Sequence, residues 1–239
     1  MVALTSVEEA AKTVPVTLSP EPPGQWRWVG TQTLLFEPDD RFPMATEYKV
    51  TVKEGTRSAT GGVMAAAAEF SFGTPPVTML SAAPFADVVG LDPTIVLRFD
   101  QDVDLAVLVP TLKLNSRKGA VPLRLATEQE IADDPSAANA RDEAAETGHT
   151  KRWVAVRPVQ SLQRDTLYDF VMPIGTASAE GPRRTTEEYS AELRTYGPLI
   201  LEESRCGYQD RCTPGTPFEL RFSNPVSYTH LTLPTSDLV

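Results

Sequence analysis

Apolar and polar residues alternate in short runs along much of this chain. In "TEYKVTV" (Thr46–Val52), Tyr48, Val50 and Val52 fall on one side of an extended backbone, and Glu47, Lys49 and Thr51 on the other. A period of two is the pattern of a half-buried strand. "AEFSFGT" repeats it, setting Phe70 and Phe72 against Glu69 and Ser71. "TLLFEP" and "RWVAVRP" are short mixed runs of β-branched, aromatic and aliphatic residues that end at Pro, and "TIVLRFDQ" and "FELRFSNP" read as further strands. Turn formers separate the runs, in "PDD", "EGT", "TGG" and "TPP"; Gly and Pro are the strongest local punctuators of structure. Many short strands with regular turns predict an all-β chain of sandwiches.

One stretch departs from this pattern. Thr127 to Gly148, "TEQEIADDPSAANARDEAAETG", is rich in Ala and Glu, which favour helix. Pro135 suits a first helical turn, with Asp133 or Asp134 as its cap. A helix over Ser136–Glu146 then stops at Gly148, a common terminating residue. Its apolar face is mostly Ala, which predicts an excursion on the rim of the sandwich.

A repeat organises the chain. "LLFEPDDRFPMATEYKVTVKEGTRSATGG" (Leu34–Gly62) lies without gaps over "VAVRPVQSLQRDTLYDFVMPIGTASAEGP" (Val154–Pro182), at an offset of 120 residues. Pro38 meets Pro158, Thr46 meets Thr166, Tyr48 meets Tyr168, Gly55 meets Gly175 and Gly61 meets Gly181. With one residue of slippage, Thr74 meets Thr195. A period of this length marks folded domains in tandem rather than solenoid turns. The expected organisation is tandem immunoglobulin-like β-sandwich domains, with the short helical insertion at about 127–148 in the second. The first runs over 1–76 and lacks its first strand, the second over 77–198, and a third begins at 199–225.

The paired Thr-x-Tyr assigns structural work to Tyr48 and Tyr168. A Tyr near the start of a late strand, its hydroxyl turned back to backbone, is the tyrosine corner of such sandwiches. Trp26 and Trp28 flank Arg27 and so share one strand face. Aromatic pairs also bind sugars, but packing in the first sandwich is the simpler use.

Composition then narrows the function. The formal charge of −10 and pI of about 4.8 disfavour nucleic acid, whose phosphates attract clustered Lys and Arg. No apolar run reaches membrane-spanning length, and no basic amphipathic stretch suits a membrane surface. Outside the last fourteen residues the single histidine is His149, in a polar turn. No serine sits in a nucleophile elbow. Asp39–Asp40 and Asp133–Asp134 read as turn and cap residues, and Asp100, Asp102 and Asp104 alternate along one strand-like face without the convergence calcium needs. No catalytic residue, cofactor or metal site is expected.

The two cysteines, Cys206 and Cys212, stand in "ESRCGYQDRCTPGTP". Several readings compete. A disulfide closing a small loop would place the segment in an oxidising compartment. Free thiols are a second reading. A third is an internal thioester between Cys206 and Gln209, although that pattern carries Glu where Tyr208 stands. Two cysteines without a nearby histidine fall short of the ligand set of zinc.

Both ends read as non-native boundaries. Val226–Val239, "VSYTHLTLPTSDLV", resembles the translation of a sequencing adapter, which assigns Ser227, Tyr228 and His230 no function. Met1–Leu4 reads as the continuation of a strand whose beginning lies upstream.

"VPVTLSPEPPGQWRWVGTQTLLFEPDDRFPMATEYKVTVKEGTRSATGG" followed by "FSFGTPP" resembles the immunoglobulin-like modules near the N-terminus of bacterial alpha-2-macroglobulins. "TLYDFVMPIGTASAEGP" through "RTYGPL", and then "RCGYQDRC", resemble the next stretch of those proteins. The modules are also similar to the SbsA-type immunoglobulin-like domains of surface-layer proteins. The resemblance implies a large protein of the periplasm or cell envelope that entraps proteases. The resemblance further implies delivery by a lipoprotein or signal sequence that is missing from this segment. Its implied partners are target proteases, met through the full-length protein, and neighbouring macroglobulin-like domains. No Cys-x-Glu-Gln and no bait segment is found here, so the resemblance implies scaffold alone. Stalk or adhesion modules of a cell-surface protein are the alternative.

Overall fold

A computed structural model describes residues 14–58, 60–85, 88–207, 212 and 214–226. The expectations for Met1–Leu4, Gln209 and 227–239 lie outside the described residues. The chain is all-β, with immunoglobulin-like sandwiches and a small helical component.

The first repeat contributes β1 (Val16–Ser19), β2 (Gly24–Val29), β3 (Thr33–Pro38), β4 (Glu47–Val52) and β5 (Ala68–Gly73). They form a three-stranded sheet in the order β1-β4-β5 and a β2-β3 hairpin. Leu18, Tyr48 and Val50 are buried between the two layers, with Val16, Trp26, Phe36 and Phe42 packed against them. The alternation of β4 is realised, since Tyr48 and Val50 are buried while Glu47 and Lys49 are exposed. The alternation of β5 is not. All six of its residues are exposed, Phe70 at 59% and Phe72 at 38%. The period was legible, but burial also needs a layer above the strand, and here that layer is thin.

The second repeat is fuller. β6 (Met79–Ala83), β7 (Val88–Val89), β8 (Ile95–Phe99), β9 (Lys113–Ser116), β10 (Gly119–Val121), β11 (Leu123–Leu125), β12 (Trp153–Pro158), β13 (Leu167–Met172) and β14 (Tyr189–Thr195) make two sheets. Their orders are β10-β9-β13-β14-β7 and β11-β12-β8-β6. All neighbours are antiparallel except β7 and β14. Ile95, Leu97, Leu114, Val156, Tyr168, Phe170 and Leu193 fill the space between the sheets, each at most 1% exposed. A short helix α1 (Leu105–Leu108), capped by the Asp104 side chain, and a 3₁₀ turn over Val109–Thr111 close one end.

The Ala-rich segment forms α2 (Glu128–Asp133) and α3 (Pro135–Glu146). Asp134 caps α3 by accepting from the amides of Ser136 and Ala137, and Pro135 occupies the first turn. Thr127 and Glu130 form a reciprocal capping box at α2, which satisfies two amides that a helix start leaves open. The placement corrects the expected rim excursion. Ile131, Ala137 and Ala140 pack on Val96 and Ala155, the outward-facing residues of β8 and β12. Small Ala side chains let the helix lie close to the sheet, so α2 and α3 form a third layer over its face.

β15 (Leu201–Cys206) and β16 (Phe218–Phe222) form a separate hairpin. Phe218 is 70% exposed, and Leu220 and Phe222 are exposed as well.

The two cores have different depths, which mutation should register. Phe170→Ala removes a fully buried ring (0% exposed) and is expected to destabilise by about 3–5 kcal/mol. Phe70→Ala, at the exposed position, should cost less than about 1 kcal/mol. Denaturant unfolding of both variants beside the parent chain measures the difference.

Candidate functional site

The loops that precede β4 and β13 are built alike. Tyr48 is 0% exposed and its hydroxyl donates to the Pro43 carbonyl at 3.0 Å. Tyr168 is 1% exposed and its hydroxyl accepts from the Gln163 amide at 2.8 Å. Pro43 and Gln163 are equivalent positions in the repeat. Proline has no N–H to give, so the first hydroxyl must donate to the carbonyl, whereas the second accepts from the amide. Burial pushes the Tyr48 phenol above its ordinary pKa, in keeping with its role as a donor.

A threonine clamps each loop. Thr74 Oγ1 accepts from the Thr46 amide at 3.0 Å and donates to the Pro43 carbonyl at 2.8 Å. Thr195 Oγ1 accepts from the Thr166 amide at 3.1 Å and donates to the Gln163 carbonyl. Between clamp and corner the chain turns left-handed at a residue other than glycine, Ala45 (φ 53°) in one repeat and Asp165 (φ 46°) in the other. That conformation costs about 1–2 kcal/mol. The amides hold it in place, since Ala45 donates to Pro75 O at 2.8 Å and Asp165 to Tyr196 O at 3.1 Å.

The two repeats meet at this turn. Glu180, on the loop after β13, has a side chain only 14% exposed. It accepts from Arg41 Nη2 at 2.6 Å, from the Met44 amide at 3.0 Å and from the Asp102 amide at 2.8 Å. Burial alone would raise its carboxyl pKa, but the Arg41 guanidinium and the two amides outweigh it and hold the group below the usual carboxylate value. The next residue, Gly181, presses against the turn. A Cβ there would lie 2.2 Å from Thr46 Oγ1 and 2.4 Å from Ala45 O, so no larger residue fits without displacement. The Arg183 amide donates to Ala45 O at 2.7 Å, and its guanidinium to Thr74 O. Gln101, 0% exposed, reaches Pro75 O with Nε2 and accepts from Ser178 Oγ at 2.7 Å. Side chains and backbone from both repeats thus close a polar junction, and among the described residues no buried side-chain polar atom lacks a partner.

Trp26 and Trp28 are both half-buried on one face of β2 and meet different neighbours. The Trp26 ring packs edge-on to Phe36 at 5.1 Å, and its Nε1 donates to Glu21 at 3.1 Å. Trp28 lines an open cleft of about 630 Å³ beside Thr31, Gln32, Arg57 and Ser58. Cys206 and Cys212 are joined in a disulfide with a Cα–Cα separation of 5.3 Å, within the usual range. With both sulfurs in one bond, no thiol remains for a thioester at Cys206. The acidic run before α1 is dispersed. Asp100 accepts from the Thr78 amide, Asp102 pairs with Arg152 at 3.0 Å, and Asp104 caps α1. Among the described residues no group of three or more His, Cys, Asp and Glu is placed to hold a metal ion, and no helix is long and apolar enough to cross a membrane.

Reasoning from sequence missed Arg41, Glu180, Gly181 and Arg183 as one cluster. Its trace was a departure from the repeat, since Glu180 stands over Thr60 and Arg183 over Val63. Partners 139 residues apart, such as Arg41 and Glu180, carry no local pattern.

The geometry defines a class, immunoglobulin-like sandwich modules fastened in tandem through a shared turn. No family profile matches the chain. An alpha-2-macroglobulin homolog of Nostoc sp. strain PCC 7120 is 26% identical over 242 aligned positions, which take in 93% of this chain. That supports a macroglobulin-like relationship. The chain spans 12% of the length of that relative.

Two measurements follow from the geometry. Tyr168→Phe leaves the Gln163 amide without its acceptor and is expected to cost about 1–3 kcal/mol. Tyr48→Phe should cost less, about 1 kcal/mol, because Pro43 O keeps the Thr74 hydroxyl; equilibrium denaturation of both variants ranks them. The second concerns pH. The Glu180 carboxyl is depressed in the folded chain, so its contribution is complete above the unfolded pKa and is lost as pH falls through the folded value. Fluorophores placed on the two repeats should report a junction that loosens upon acidification. In Glu180→Gln that acid-dependent change should be absent, the junction already being looser at neutral pH.

Proposed function

We propose that this chain is a non-catalytic scaffold segment of a bacterial macroglobulin-like protein that traps proteases in the periplasm or cell envelope. The observation that carries the reading is the extent of the similarity, which runs through 93% of the chain and therefore through both repeats and their junction. The physical design supports it. The polar groups at the junction are satisfied by one another, as suits modules that must hold a fixed relation inside a larger assembly. The disulfide supports an oxidising compartment. In this reading, target proteases are met by other parts of the full-length protein, neighbouring macroglobulin-like domains pack on this segment, and a lipoprotein or secretion signal elsewhere delivers the whole.

The test uses the full-length protein encoded at the source locus. Incubated with trypsin, it is expected to retain the protease in a form that still cleaves small peptide substrates and no longer degrades large proteins. A locus that instead encodes further similar repeats and a cell-wall anchor, with a product that leaves trypsin unaffected, identifies a stalk or adhesion protein.

A further inference from the structure

The hairpin that follows the second repeat copies the strand pair that opens it. β6 starts with Met79 opposite Phe99 and passes a bulge before Ser81 meets Arg98. β15 starts with Leu201 opposite Phe222 and passes the same bulge before Glu203 meets Arg221. The linker bonds are copied too. In the first joint the Thr78 amide donates to the Asp100 carboxylate at 2.8 Å, and the Asp100 amide to Thr78 O at 3.2 Å. After the second repeat the Ile200 amide donates to Ser223 Oγ at 2.9 Å, and the Ser223 amide to Ile200 O at 3.0 Å. In each case the next residue reaches back to the linker, Gln101 Nε2 to Pro75 O at 3.4 Å and Asn224 Nδ2 to Gly197 O at 2.9 Å. The second linker has one residue more between the clamping Thr195 and Ile200 than the first has between Thr74 and Thr78. Its side-chain amide, on Asn224 rather than Gln, is one methylene shorter.

We propose that the left-handed turn at Asp165 is the docking surface for the module that β15 and β16 open. What points to this occupant is a set of bonds already made, not an exposed surface. The first joint shows what those bonds lead to. There the linker carries a module whose loop seals the turn at Ala45, with the Arg183 amide on Ala45 O and the Ser178 hydroxyl on Gln101. A third module carried by the same bonds brings its counterpart loop to the turn at Asp165. Its fasteners are a backbone amide donated to Asp165 O and a donor aimed at Asn224 Oδ1. The charged hook of the first joint is not repeated. Ser161 stands in the place of Arg41 and donates to Asp92 at 2.7 Å. Pro225 stands in the place of Asp102 and has no N–H to give. The second joint therefore rests on the backbone of the turn and on Asn224. This inference goes beyond the protease-trapping reading and does not depend on it.

The test uses the full-length protein encoded at the source locus, beside the present chain. Nitroxide labels on Glu54→Cys and Ile174→Cys, equivalent and exposed positions, report the first joint. Labels on Ile174→Cys and its counterpart in the third module report the second. Pulsed dipolar spectroscopy is expected to give two narrow distance distributions whose means agree within about 4 Å, the span of one residue. Asn224→Ala should broaden the second alone, and Gln101→Ala the first alone. Arg164, beside the turn, is exposed in the present chain. The thiol of Arg164→Cys should be alkylated about tenfold more slowly in the full-length protein than in this chain, and Asn224→Ala should restore much of that reactivity. A thiol that reacts equally fast in both proteins overturns the proposal. So does a second distance that is broad or differs further from the first, and so does an Asn224→Ala variant that alters neither reading.

Discussion

The left-handed turn at Ala45 is the constraint on which the arrangement of the modules rests. The residue is 0% exposed, its amide is bound to Pro75 O and its carbonyl to the Arg183 amide. A non-glycine residue persists at positive φ only where its surroundings over-determine it. Three sets of contacts do so here. The Tyr48 corner fixes the chain on one side, the Thr74 clamp on the other, and the loop bearing Glu180, Gly181 and Arg183 seals the outside. The first two belong to the first repeat. The third belongs to the second, so the conformation of one module's turn is the docking surface of the next. Release of the seal exposes a strained backbone and a buried carboxylate together, and that couples the integrity of the turn to the mutual position of the repeats.

Hydrophobic burial is distributed unevenly around this point. The second repeat encloses a core between a five-stranded and a four-stranded sheet and adds a helical layer outside. Among the described residues the first closes three strands with a hairpin, and in its aromatic cluster Tyr48 is fully buried while Phe72 stays 38% exposed. Phe42 touches Phe36, Tyr48 and Phe72 at ring distances between 5.1 and 5.7 Å. Aromatic pairs of this kind add to area burial.

Much of the fold was legible in the chain because it rests on local patterns. Period-two alternation in Thr46–Val52 marks β4, and Asp134-Pro135 announces the start of α3. The offset of 120 residues brought Tyr48 over Tyr168, and each hydroxyl meets the backbone five residues earlier, Tyr48 as donor and Tyr168 as acceptor. The parts that stayed hidden depend on what lies opposite a residue. Phe70 and Phe72 alternate as a buried strand would, yet no sequence period reports whether a second layer is present above them. The Ala face of α3 looked too weak to pack, but small residues on a helix permit a close approach to Val96 and Ala155. The junction was invisible for a related reason, since Arg41 and Glu180 are individually ordinary loop residues.

The repeat nevertheless carried a usable signal, in its mismatches rather than its matches. Gly61 and Gly181 align, but the first has open space about it and the second is wedged against Thr46 and Ala45. Among the described residues Thr60 bonds within its own loop, to Ser58, whereas its counterpart Glu180 reaches Arg41, Met44 and Asp102. Val63 is 56% exposed, and its counterpart Arg183 binds the neighbouring turn. When one fold is copied in tandem, its core and corners must stay alike for each copy to fold. Only the loops that meet another module are free to diverge toward it. In this chain the change from Thr to Glu and from Val to Arg converts a solvated hairpin end into a fastening.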